Sequence, residues 1–171
     1  MGVKAPALMA QIKAAEAETG LTIPVDREDV EYLMLLSSAE IMQFSVIIGA
    51  VTQIFDEAGI SWTLSTEAFE ATNSGMQIGS SDLAGQLVQR IVDVAEKLKV
   101  RYVISPECGH AYTALRWEGP NLIGRRYPFK VIHILELLEE LRVQGRLRTE
   151  GFEDERPLPD RTPRRHCRTA A

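Results

Sequence analysis

The spacing of hydrophobic positions changes several times along the chain, and each change marks an element. Residues Ala5 to Glu18 carry Ala, Leu, Met, Ile and Glu with few breakers and run up to Gly20, which predicts a helix closed by a glycine cap. Leu21 to Asp26 follows as an extended connector. Tyr32-Leu-Met-Leu-Leu36 is wholly apolar and short, as a buried strand is, and it delivers Ser37 and Ser38 to its carboxyl end. From Glu40 to Ala58 apolar residues recur at helical spacing until Gly59 stops them. Ser61 to Leu64 predicts a second strand. Asp82 to Lys99 predicts an amphipathic helix with Leu83, Leu87, Ile91, Val94, Ala95 and Leu98 on its apolar face. Tyr102 to Ile104 predicts a third strand, which Pro106 must end because proline cannot continue a central ladder. Ala111 to Trp117 then reads as a helix, Glu118-Gly-Pro-Asn121 through Tyr127-Pro128 as turns, and the stretch around Ile132 to Arg142 as a last strand-like entry into a helix.

Strands alternating with helices are the signature of crossover connections and a parallel sheet. The expected fold is therefore α/β: a single Rossmann-like layered domain over residues 1–149, its short parallel sheet covered by helices. Residues 150–171 are rich in Pro and Arg and lack apolar periodicity, so a disordered tail is expected there.

Composition narrows the function. A net charge of -5 and the lack of a basic face argue against a nucleic-acid partner, because phosphate contacts need clustered Lys and Arg. No apolar run approaches the length of a membrane span and no signal-peptide pattern opens the chain, so a cytoplasmic protein without direct membrane insertion is expected. The chain has two cysteines, Cys108 and Cys167, and Cys167 falls in the irregular tail, which disfavours a disulfide framework.

Candidate chemistry collects where the third strand ends. Glu107, Cys108 and His110 follow Pro106 directly, and Cys108 falls at or near a predicted helix start, where unpaired N–H groups and the helix dipole favour a thiolate. Packing as a small buried hydrophobe is the plainer reading of the same cysteine. A second polar segment, Ser65 to Met76, follows the second strand. Within it Glu70, Asn73 and Gly75 are expected to face Cys108 across the carboxyl edge of the sheet as a substrate pocket, with Ser37 and Ser38 beside them. Helix capping is the competing role for Ser37, Ser38, Asn73 and Gly75.

Four stretches carry a family resemblance: Ile23-Pro-Val-Asp26; Ala58-Gly-Ile-Ser-Trp-Thr-Leu-Ser65 running into Glu70-Ala-Thr-Asn-Ser-Gly75; Glu107-Cys-Gly-His-Ala111; and Tyr127-Pro128 with His133-Ile-Leu-Glu-Leu137. In this order, over roughly Glu18 to Leu147, they resemble one half of the cysteine-rich (CCG-type) region of heterodisulfide reductase-like iron–sulfur oxidoreductases. The resemblance is nearest to catalytic subunits of membrane-linked redox complexes of the dissimilatory sulfite reduction type. It implies electron transfer to a disulfide or sulfur substrate, a 4Fe-4S-type cluster, and partners among iron–sulfur or membrane-bound redox subunits. The chain lacks the Cys-x-x-Cys, Cys-Cys-Gly and ferredoxin-type runs of such proteins; Thr72-Asn-Ser-Gly75 stands where a double cysteine would, and Cys108 stands alone. The resemblance thus implies that Cys108 lends a single thiolate to a shared cluster which this chain does not bind alone. Two other readings remain: a cluster-less structural subunit or truncated fragment, and a small-molecule enzyme with Cys108 as nucleophile and His110 or His133 as base.

Overall fold

Four short apolar segments pair side by side in one direction. Strands β1 (Tyr32–Met34), β2 (Trp62–Thr63), β3 (Tyr102–Ser105) and β4 (Lys130–His133) form a parallel sheet in the order β2-β1-β3-β4. This computed structural model describes residues 4–69, 73–105 and 109–147; the tail expected from residue 150 lies outside them.

The register puts Leu33 beside Val103 and Met34 beside Ile104. Because side chains alternate across a strand, Leu33, Val103 and Val131 enter one core while Met34 and Ile104 enter the other. The first core is closed by α5 (Ser81–Lys97) and by the helical stretch after β3. The second is closed by α1 (Ala5–Thr19), α2 (Ser38–Met42), α3 (Val46–Glu57) and α8 (Ile134–Val143). The expected α/β layering is therefore borne out. Among the described residues no helix is long and apolar enough to cross a membrane.

Three elements depart from the sequence expectation. The helix expected from Glu40 to Ala58 is two helices, because the chain widens after α2, where Phe44 N–H reaches back to Ala39 C=O, and restarts in tight turns from Phe44 and Ser45. The turns expected from Glu118 onward are helical: α6 (Gly109–Thr113) passes through a π-helical segment (Ala114–Glu118) into α7 (Gly119–Ile123). Pro120 has no N–H for the carbonyl of Arg116, four residues back, and a helix that must absorb such a gap widens. The Tyr127 hydroxyl donates to the Leu115 carbonyl at 2.8 Å within that widened turn. On α5, the buried face is Ala84, Val88, Ile91, Val92, Val94 and Ala95, so Leu83 and Leu87 lie at its margin.

Between β2 and α5 the chain forms α4 (Ser74–Gln77), which lies flat on α5. A Cβ on Gly75 would come within 2.6 Å of Ala84 Cα and 2.8 Å of the Leu83 carbonyl carbon, both backbone atoms that cannot rotate away. Gly75→Ala should therefore lower the stability to urea by about 1–3 kcal/mol through overpacking. Gly109→Ala, where a Cβ meets nothing within 4 Å, should leave it unchanged or raise it slightly. Equal urea midpoints for the two variants would contradict this packing.

Candidate functional site

In a parallel sheet every strand ends at the same edge, so Ser37, Ser65, Ser105 and His133 mark one rim of the molecule. The chain leaves β1 toward β2 and leaves β3 toward β4, so the connections diverge between these two neighbours. Open α/β sheets place ligands outside the carboxyl ends at such a switch point. Here that switch point lies between Ser37 and Ser38 on one side and Ser105 and the start of α6 on the other.

Most polar groups on this rim are spent on folding the loops. Ser37 caps α2: its hydroxyl accepts the Glu40 N–H at 3.2 Å while the Glu40 carboxylate accepts the Ser37 N–H at 2.6 Å. Ser38 is the first residue of α2. After β2, the Ser65 hydroxyl donates to Asp26 at 2.8 Å and Thr66 donates its N–H to the same carboxylate at 2.9 Å. Partial burial pushes the Asp26 carboxyl up, but the hydrogen bonds from Thr66 and Ser65 outweigh it and hold it below its ordinary value.

Asn73 and Gly75 belong to the packing of α4 rather than to an open pocket. Asn73 is 6% exposed; its side-chain oxygen accepts the Met76 N–H and its amide nitrogen donates to the Ala84 carbonyl, both at 3.2 Å. Of the two roles expected for these residues, the described contacts are those of capping and packing. A short helix laid on α5 needs one side chain to cap it and one glycine to fit. Moreover, β1 lies between β2 and β3, so the segment after β2 is not the immediate neighbour of the one after β3. Glu70, Glu107 and Cys108 lie outside the described residues. His110 is exposed in the first turn of α6, which begins at Gly109.

Ser105 is the exception among the hydroxyls. It is 0% exposed, and its Oγ has no hydrogen-bond partner among the described residues. Leaving a buried hydroxyl unpaired costs about 1–3 kcal/mol. Its register partner His133 caps α8, with Nδ1 accepting the Leu135 N–H at 3.2 Å, so the neutral ring carries its proton on Nε2. The His133 ring stands edge-on to Tyr112 of α6, 5.3 Å between centroids.

Glu136 ties this corner together. It accepts the His133 N–H at 2.7 Å, the Tyr112 hydroxyl at 2.9 Å and Arg116 Nη1 at 2.8 Å, and Arg116 also donates to the Tyr112 hydroxyl. The His133 N–H is the main cause that holds the Glu136 carboxyl below its ordinary value, with Tyr112 and Arg116 adding to it against partial burial. Burial first, then the bond to Glu136, pushes the Tyr112 hydroxyl up. Sequence reasoning named His133 alone from this cluster. The legible signals for the others were the His133-x-x-Glu136 capping spacing and the four-residue step from Tyr112 to Arg116 on one helix.

No protein-family model matches the chain, and no solved structure matches it. Curated relatives do. The chain is 28% identical over 129 residues to the EtfAB:quinone oxidoreductase of Syntrophomonas wolfei, covering 74% of this chain and 18% of that protein. It is 28% identical over 105 residues to one subunit of the dihydromethanophenazine:CoB--CoM heterodisulfide reductase of Methanosarcina acetivorans, covering 59% of this chain and 25% of that one. The corresponding subunit of Methanosarcina barkeri is 26% identical over 96 residues, covering 54% and 23%. The chain therefore spans a quarter or less of the length of these relatives. It is similar at low identity to heterodisulfide reductase-like oxidoreductases.

The Glu136 cluster has a pH signature. A depressed carboxyl contributes stability that is present above its ordinary value of 4.5 and is lost as pH falls through the lower value of the folded state. Wild type should be more resistant to urea than Glu136→Gln at neutral pH, and the gap should close as the solution is acidified below that ordinary value. A gap that persists undiminished into strong acid would show that charge is not what Glu136 contributes.

Proposed function

We propose that this chain is a half-domain of a heterodisulfide reductase-like iron–sulfur oxidoreductase, taking part in electron transfer to a disulfide or sulfur substrate within a larger complex. The observation that carries this reading is the similarity to the heterodisulfide reductase subunits of the two Methanosarcina species, which runs through more than half of the chain. The switch point in the strand order supports it, since the Glu107-Cys108 segment joins β3 to α6 in sequence at that point. Within that class we infer a role like that of the catalytic subunits of dissimilatory sulfite reduction-type membrane complexes, in the cytoplasm, with iron–sulfur or membrane-bound redox subunits as partners.

The residues present do not fit a complete cluster. A 4Fe-4S-type cluster is held by about four thiolates, and the chain has two cysteines. Among the described residues no group of three or more His, Cys, Asp or Glu could hold a metal ion. On this reading Cys108 contributes one thiolate to a site that a partner completes. Reducing a disulfide breaks the S–S bond and takes up two electrons and two protons. The electrons come from the redox partner, while Glu107 and His110 stand within two residues of the thiol in sequence as groups that carry protons.

Reconstituting the purified chain alone with iron and sulfide should give no stoichiometric iron–sulfur chromophore that survives desalting; one that survives would refute a shared cluster. In the complex purified with its partner subunits, Cys108→Ser should abolish disulfide-reducing turnover while Cys167→Ser leaves it intact. Unchanged turnover in Cys108→Ser would remove the redox role from this chain.

A further inference from the structure

The two edges of the sheet are treated differently. Beyond β2, Val25 bridges to Leu64, and Asp26 N–H and Leu64 N–H exchange bonds with the Leu64 and Pro24 carbonyls at 2.8 and 2.9 Å, so the extended connector covers that edge. Beyond β4, no further strand pairs among the described residues. Lys130 N–H donates inward to the Arg101 carbonyl at 3.0 Å. Backbone groups of a parallel strand alternate in direction, so Lys130 and Ile132 face β3, and the N–H and C=O of Val131, a residue 7% exposed in all, point to the edge that no described strand covers.

A cleft of about 270 Å³ reaches this edge, bounded by Val131 and Ile132 on the strand and by Arg116, Arg126, Tyr127 and Lys130 around it, with no acidic residue in its lining. Arg126 and Lys130 are exposed, and neither has a carboxylate partner among the described residues; Lys130 lies only over the Tyr102 ring, 6.0 Å from its centroid. Arg116 commits Nη1 to Glu136 and Tyr112, and its Nε and Nη2 have no hydrogen-bond partner among the described residues.

We propose that the β4 edge is a docking site for an extended acidic segment of a partner protein, which adds a strand beside Val131 and sets its carboxylates against Arg116, Arg126 and Lys130. Cations on an edge strand ordinarily deter pairing with another strand, and they do so by charge, which an acidic strand reverses. A second copy is a poor occupant, because it would present the same cations and place like charges opposite one another. A free anion would meet the cations but would not pair with the Val131 backbone groups, which have no partner among the described residues.

The test uses the full chain and a fluorescent, end-blocked peptide alternating Glu and Val, followed by anisotropy at low salt. The peptide should bind, shift the Val131 amide resonance and slow its hydrogen exchange. Arg126→Ser combined with Lys130→Ser should weaken binding by about tenfold, the size expected for two exposed charge pairs. The same peptide N-methylated at alternate backbone positions should lose binding as well, because it cannot pair with a strand. The proposal is overturned if the Glu-Val peptide fails to bind, or if the methylated peptide binds equally well and leaves only a charge patch. Concentration-dependent self-association that the double variant abolishes would also overturn it, in favour of a second copy. None of these outcomes depends on redox activity.

Discussion

The pairing of β1 with β3 is the constraint on which the rest depends. These two strands sit in the middle of the sheet, and their register sends Leu33 and Val103 into one core and Met34 and Ile104 into the other. A slip of one residue would reverse every side chain and expose both cores. Because the pair is parallel, their carboxyl ends coincide. Because their connections leave in opposite directions, the two ends flank a switch point. A switch point between Ser37 and Ser105 is a consequence of topology before any question of chemistry arises.

What surrounds the switch point is largely occupied. Ser37, Asn73, Ser80 and His133 each accept a backbone N–H at the start of a helix, so the polar residues after the strands mostly hold the loops in place. Two features escape this use. The Ser105 hydroxyl is buried and unpaired among the described residues, and the guanidinium of Arg116 gives only one of its nitrogens to Glu136. The first lies on the strand that precedes the segment where the redox reading puts its chemistry. The second leads toward the open strand edge. Redox chemistry and partner docking are thus assigned to different sides of β4.

Much of the fold was legible because it rests on apolar spacing and punctuation: Gly20 in the left-handed conformation ends α1, and the strands fall where short apolar runs predict them. The failures have local causes that spacing does not carry. The break after α2 leaves Met42, Phe44 and Val46 exposed, although apolar residues there preserve a helical rhythm. Pro120, which reads as a turn former, is absorbed by a π-helical widening in which the Leu115 carbonyl accepts the Tyr127 hydroxyl from farther along the chain. At the site, residue type was legible and use was not. Asn73 could cap or bind, and only the nearness of Ala84 decides it. The Glu136 cluster draws on two elements that come together only in the fold.

The central claim, that this chain lends a thiolate to a redox site completed by a partner, is tested most directly by electron paramagnetic resonance of the intact complex. Substrate-treated wild-type complex should show a cluster signal whose line shape changes in Cys108→Ser and is the same in Cys167→Ser. A signal identical in all three would contradict the claim.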